Sequence, residues 1–196
     1  MLTSIQFGHL SQAQAQQPAN VRPLFGYGSH ALQGDTVQFG ACASKPTATE
    51  KRLMQRAVAV SQDSKDPSRK IGAVIATPRG KELVVGFNHF PNGVSEEPAE
   101  RWERPAKYQY IGHAETNAIG EAARTGVALD GARMAVNLFP CLNCTKTIMA
   151  TGVKEVVTTT PDYNDPVWGE EFRLSKAMLE EAGIRLRLFS AQELGI

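Results

Sequence analysis

Only three cysteines occur among the 196 residues, too few for a disulfide framework. No apolar run approaches the roughly 20 residues that a membrane helix needs, so no membrane association is expected. Neither sign of charge is in excess: 21 basic and 20 acidic residues leave a formal net charge of +1. A protein that follows a nucleic-acid backbone usually carries a clear basic surplus, so nucleic acid is not an expected partner. A small charged ligand held by a few local basic groups fits better. Internal repeats are lacking as well. What remains is 42% hydrophobic and 21% charged, the balance of a globular chain long enough for one domain with a sizeable core.

Residues 1–46 differ from the rest. They hold Gln12, Gln14, Gln16 and Gln17, many glycines, and only Arg22, Asp35 and Lys45 as charges. The stretch has no signal-peptide apolar region and too little arginine for a transit peptide. It is expected to be an extension of unknown role with little core of its own. The remaining residues, 47–196, form the expected folded domain. Thr49-Glu50 opens a helical pattern carrying Leu53, Met54, Ala57, Val58 and Val60. Ile71–Ala76 and Leu83–Phe87 flank the turn Pro78-Arg79-Gly80 as a hairpin, and a polar loop covers Asn88 to Tyr110. A helix from near His113 to Thr125 ends at Gly126. Further strands are expected at Arg133–Leu138, Glu155–Thr160 and Ile184–Phe189. Helices are expected at Cys141–Thr151 and Glu170–Ala182. This order predicts an α/β fold, a three-layer α-β-α sandwich around a mixed five-stranded sheet.

The chemistry concentrates in His113-Ala114-Glu115 and Pro140-Cys141-Leu142-Asn143-Cys144. His113, Cys141 and Cys144 supply one nitrogen and two sulfurs, the three protein ligands of a catalytic zinc that keeps a fourth position for water. Both groups fall at expected helix N-termini, where exposed N–H groups and the macrodipole favour anions and lower a thiol's pKa. Two thiolates neutralise Zn²⁺, so a hydroxide can join without much net charge. Glu115, two residues after His113, points about 200° away from it on a helix, and so can face a water or substrate beside the ion. A Cys-x-x-Cys pair alone more often marks a structural zinc or a redox couple. A closed structural site needs a fourth ligand, and His9, His30 and His89 are the only other histidines. Cys42 is expected to be an ordinary thiol, and the cysteine usage suits a reducing, cytoplasmic compartment.

These residues and their surroundings resemble the deoxycytidylate (dCMP) deaminases of the cytidine deaminase-like superfamily, over about Ser61 to Asp165. Ser64-Lys65-Asp66-Pro67-Ser68 followed by Ile71–Ile75 is similar to that family's first-strand signature. Gly86–Gly93 looks like its Gly-Tyr-Asn-Gly-x-Pro-x-Gly loop. Lys107–Tyr110 leading into His113–Ile119 resembles its catalytic segment, and Asp162-Tyr163 its substrate-side tyrosine. The H-x-E…P-C-x-x-C pattern is the signature of zinc-dependent base deaminases. The resemblance implies hydrolytic deamination of a pyrimidine nucleotide, dCMP to dUMP with loss of ammonia, by a Zn²⁺ homo-oligomer of two to six subunits. It implies that Glu115 moves the protons, Asn88 hydrogen-bonds the nucleotide, the Ala114 N–H holds the base carbonyl, and Tyr163 lines the sugar side.

The 5′-phosphate needs cationic or donor groups. Ser64, Lys65, Arg69 and Lys70 precede the first strand, and Arg101, Arg104 and Lys107 precede the catalytic helix; at least one is expected on the phosphate. His89 stands where regulated family members carry glycine, which argues against control by dCTP and dTTP. Trp102 and Trp168 are candidates for base stacking, though such aromatics more often serve packing. Alternative readings are a deaminase of tRNA adenosine, free cytosine or cytidine, or a riboflavin-pathway pyrimidine. A non-catalytic nucleotide-binding protein that keeps zinc for structure would not need Glu115.

Overall fold

The computed structural model describes residues 45–196. Apart from Lys45 and Pro46 the expected N-terminal extension, with Cys42, His9 and His30, lies outside the described residues. Thr47 opens helix α1 (Ala48–Ser61): its hydroxyl accepts from the Glu50 N–H and the Glu50 carboxylate accepts from the Thr47 N–H. This reciprocal cap sets the helix start just before the expected Thr49-Glu50. Strands β1 (Gly72–Ala76) and β2 (Glu82–Phe87) form the expected hairpin. The segment expected to be loop contains a 3₁₀ turn over Ala99–Trp102 and one turn of helix, α2 (Lys107–Tyr110). Helix α3 (Ala114–Thr125) then stops at Gly126, whose φ of 72° a side chain would resist. Strand β3 (Arg133–Val136), helix α4 (Leu142–Ala150), strand β4 (Glu155–Thr159), helix α5 (Gly169–Glu181) and strand β5 (Arg185–Phe189) follow. A short α6 (Ala191–Leu194), capped by Ser190, closes the chain.

The strands assemble in the order β2-β1-β3-β4-β5, with β1 antiparallel to both neighbours and β3, β4 and β5 parallel. Side chains alternate across this sheet and so build two cores. Ala73, Ile75, Met134, Val136 and Val156 face Ala118, Ala122, Ile148 and Leu179 from α3, α4 and α5. Val74, Ala76, Ala135 and Val157 face Leu53, Met54, Ala57 and Leu194 from α1 and α6. The result is the expected three-layer sandwich, with β1 buried along its whole length. Each fully buried Leu, Ile or Met contributes about 1.5–3 kcal/mol.

The pairing also fixes where a ligand can sit. Since β1 runs against β3, the start of β1, the end of β2 and the end of β3 share one edge, as Gly72 opposite Phe87 and Ala73 opposite Val136 show. Ligands gather at the carboxyl ends of parallel strands. The opposite edge is ionic: Glu155, fully buried, meets Arg133 (Nε–Oε1 3.1 Å) and Arg185, while Arg187 on β5 meets Glu50 on α1 at 2.6 Å.

Candidate active site

Two helix starts meet at the β1/β3 edge. His113 is the N-cap of α3 and Cys141 the N-cap of α4, both with extended backbone, and Cys144 follows in the first turn of α4. Gly86 lets α3 lie directly on β2, because a Cβ there would come within 2.4 Å of the Ala118 N and 2.6 Å of the Ala114 O. His113 Nδ1 lies 3.4 Å from the Sγ of Cys141 and 3.4 Å from the Sγ of Cys144. Tetrahedral zinc with bonds of about 2.0–2.1 Å to nitrogen and 2.3 Å to sulfur separates such atoms by about 3.5 Å, so this donor set fits the ion. Among the described residues no fourth His, Cys, Asp or Glu joins the group. The α4 start is braced by Glu171 of α5, which accepts from the Leu142 N–H at 2.8 Å.

The polar environment is strongly graded. A hydrogen bond from Cys144, opposed by burial and aided by His113 and the Cys144 N–H, lowers the Cys141 thiol to about 4. The same shared contact, with burial, pushes Cys144 up. The Cys141 contact raises His113 against the effect of burial, with Glu115 and Glu171 adding to it. Glu115 is 4% exposed, and burial raises its carboxyl despite hydrogen bonds that favour the anion. It stays outside the ligand trio and lines the same cavity, as its offset from His113 predicts.

That cavity, about 200 Å³, joins three surfaces. His113, Ala114, Glu115 and Cys141 line it. Leu138, Phe139, Phe172 and Trp168 make an apolar wall, with Phe139 and Phe172 packed edge to face at 5.5 Å. Ser68, Arg69, Arg104, Lys107 and Tyr108 line the cavity as well. A buried carboxyl beside a trio that could hold a metal, an apolar wall and cationic lining residues suit metal-assisted hydrolysis of a flat, anionic molecule.

The substrate residues expected from the sequence divide. Asn88 and Ala114 line the cavity. Asn88, however, turns its amide to the protein: Oδ1 accepts from the Ile71 N–H at 2.7 Å, and Nδ2 donates to Asp66 at 3.0 Å and to the Arg69 carbonyl at 2.9 Å. Ser64 is buried behind the wall, donating to the Asn88 carbonyl at 2.7 Å. Lys65 points to solvent and pairs with Glu96 and Glu97. Tyr163 sits apart, beside Arg173, Lys176 and Glu180, with its hydroxyl buried and without a hydrogen-bond partner among the described residues. Asp165 Oδ1 accepts from the Val167 and Trp168 N–H groups, and Gly169 packs closely on the Tyr163 carbonyl. That turn sets Trp168, rather than Tyr163, in the cavity wall.

Of the cations considered for phosphate, Arg69, Arg104 and Lys107 reach the cavity. Lys70 donates to the Gln62 carbonyl, and Arg101 donates to the Ser95 carbonyl and lies over the Tyr110 ring. Trp102 stacks on Phe90 at 4.2 Å and serves packing. His89 pairs its backbone with Gly112 and lies 4.9 Å from the Phe87 ring, outside the cavity. Sequence reasoning missed Asp66 and Ser68; the Asp-Pro-Ser turn chemistry was the available signal.

Comparison with known proteins agrees with this arrangement. Residues 47–160, more than half of the chain, match the model of the cytidine and deoxycytidylate deaminase zinc-binding region. An uncharacterized deaminase from the luxG 3′ region of Aliivibrio fischeri is 41% identical over 138 residues, covering 69% of this chain and 90% of that protein. Human deoxycytidylate deaminase is 37% identical over 135 residues, covering 66% of this chain and 72% of that protein. The dCMP deaminase of cyanophage S-TIM5, solved with dCMP and dUMP, shares the fold with a TM-score of 0.58 at 24% identity, over 71% of this chain and 96% of that one. On the family match and the identity to these relatives, the chain belongs to the cytidine and deoxycytidylate deaminase family.

Proposed function

We propose that the domain at residues 47–196 converts dCMP to dUMP, adding water and releasing ammonia. The observation that carries this reading is one cavity lined by His113, Cys141 and Glu115 together with Arg69 and Arg104, with Cys144 grouped beside His113 and Cys141. The names of the relatives support the choice of substrate. His113 Nδ1 and the two sulfurs would hold zinc, which when bound acts as a Lewis acid and makes water nucleophilic near neutral pH. Glu115 takes a proton from the attacking water, delivers it to the ring nitrogen beside the amino-bearing carbon, and then serves the departing amine. Burial suits it to this duty, because a carboxyl raised toward neutrality both accepts and returns a proton readily. The Ala114 N–H, in the first turn of α3 and without an intrahelical acceptor, is placed to hold the base carbonyl. Arg69 and Arg104 take the 5′-phosphate, and Trp168 and Phe139 exclude water around the base. Asn88, which lines the cavity with its amide engaged by Ile71, Asp66 and Arg69, holds the wall in shape.

Ammonia release from dCMP, CMP, deoxycytidine and cytosine, measured side by side on zinc-loaded protein, tests the reading. The expected result is a preference for dCMP over deoxycytidine of about tenfold or more. Absence of ammonia from all four, or a preference for the uncharged substrates, would overturn it. The assembly is proposed to be a homo-oligomer of two to six copies, which light scattering in solution decides. A reducing cytoplasm is the compartment proposed, since it keeps Cys141 and Cys144 available as ligands.

A further inference from the structure

Asp66 and Lys107, 41 residues apart in sequence, form a buried ion pair in the wall of the cavity. Lys107 Nζ lies 2.6 Å from Oδ2 and 2.8 Å from Oδ1 of Asp66, and the two side chains are 7% and 2% exposed. A buried ion pair is a poor source of stability, because desolvation offsets most of the attraction. What it holds in place is therefore informative. Asp66 Oδ1 also accepts from the Ser68 N–H at 2.8 Å and the Arg69 N–H at 3.2 Å, and Oδ2 accepts from Asn88 Nδ2. Asn88 in turn grips the Arg69 carbonyl, so the Arg69 backbone is fixed at both its nitrogen and its oxygen. Lys107 sits between Arg104 and Tyr108, both cavity-lining, and the chain reaches His113 six residues later. An ammonium has three donors, and the two Asp66 oxygens and Ser68 Oγ occupy them.

We propose that the Asp66–Lys107 pair is a positioning strut that sets Arg69 and Arg104 as facing walls of one anion-binding end, at a fixed distance from Glu115. The inference rests on the reading of the cavity as a nucleotide site. The two residues position the arginines and do not themselves bind the substrate. The strut joins the loop entering β1 to the segment entering α3, so losing either member releases both walls. A local charge effect alone behaves differently. Lys107→Met would leave an unpaired carboxylate that repels phosphate, whereas Asp66→Asn would leave an unpaired ammonium that attracts it.

The test measures binding of dUMP and deoxyuridine, with zinc content and dCMP kinetics, on zinc-loaded wild-type, Lys107→Met and Asp66→Asn proteins. The strut predicts that both variants bind dUMP about tenfold or more weakly, with deoxyuridine affinity and zinc content unchanged. KM for dCMP rises correspondingly while kcat holds within about threefold. Opposite shifts in the two variants, equal losses for dUMP and deoxyuridine, or no shift at all would overturn the proposal. Should either variant fail to fold, hydrogen exchange on the wild-type protein decides. There dUMP, unlike deoxyuridine, should slow exchange in residues 66–70 and 104–110 together, and protection of one segment alone counts against the strut. A wild-type protein that binds dUMP no better than deoxyuridine would sink the nucleotide reading itself, an outcome distinct from failure of the strut.

Discussion

Glu115 is almost fully buried, and in the proposed reaction it would exchange protons with the substrate. Burial raises its carboxyl, while His113 and the hydrogen bond with Cys144 pull the other way. Replacing it by glutamine keeps the shape and removes the proton. Glu115→Gln is expected to retain zinc, measured by metal analysis, and to lose about 10²–10⁴-fold in kcat. Substantial remaining turnover would take Glu115 out of the mechanism. His113, Glu115, Cys141 and Cys144 could be recognised in the sequence because their geometry is local, set by spacing within the starts of two helices. Ser64, Lys65 and Asp66 were harder, since three consecutive polar residues face three directions. Ser64 turns to a backbone carbonyl, Lys65 to solvent glutamates, and Asp66 to Lys107. Only the fold reveals the partner that selects among them.

Among the elements, α3 shows how packing sets chemistry. Its first turn carries Ala114 and Glu115, and its distance from the sheet depends on the missing side chain at Gly86. Gly86→Ala forces the helix away from β2, with an expected loss of about 1–3 kcal/mol in unfolding free energy and a fall in kcat. Urea unfolding and steady-state kinetics on the same preparation check it; an unchanged midpoint would mean the contact is slack. The long periodic helices and the five strands are legible from apolar spacing, whereas α2 and α6, at four residues each, are too short to show a period. The exchange of Tyr163 for Trp168 in the cavity wall has the same origin. It depends on the turn built by Asp165 and on Gly169 packing against the Tyr163 carbonyl, neither of which composition displays.

Across the whole molecule, the sheet separates a reactive edge from a structural one. His113, Cys141 and Cys144, the group that could hold a metal, come together on the side where β1 begins and β3 ends. The opposite edge and the α1 face carry buried ion pairs that tie the first described helix to the last strand. Glu50 shows how that tie responds to acid. Burial raises its carboxyl, but the Arg187 guanidinium and the Thr47 cap outweigh this and hold it below its ordinary 4.5. A carboxyl depressed in the folded state contributes stability that is complete above its unfolded value and disappears as pH falls through its folded one. Glu50→Gln removes that contribution while nearly keeping the shape. Wild-type protein should therefore exceed Glu50→Gln in unfolding free energy by on the order of 3 kcal/mol at pH 7. The gap should narrow as pH drops below about 4.5 and nearly close once Glu50 is protonated, because a neutral carboxyl and an amide offer Arg187 similar company. Comparing two proteins at each pH cancels the opposite contribution of Glu155, whose carboxyl burial raises. A gap that stayed constant from pH 7 to pH 3 would show that the Glu50–Arg187 charge pair does not hold α1 to β5, and would leave packing of Leu53, Met54 and Ala57 to do so.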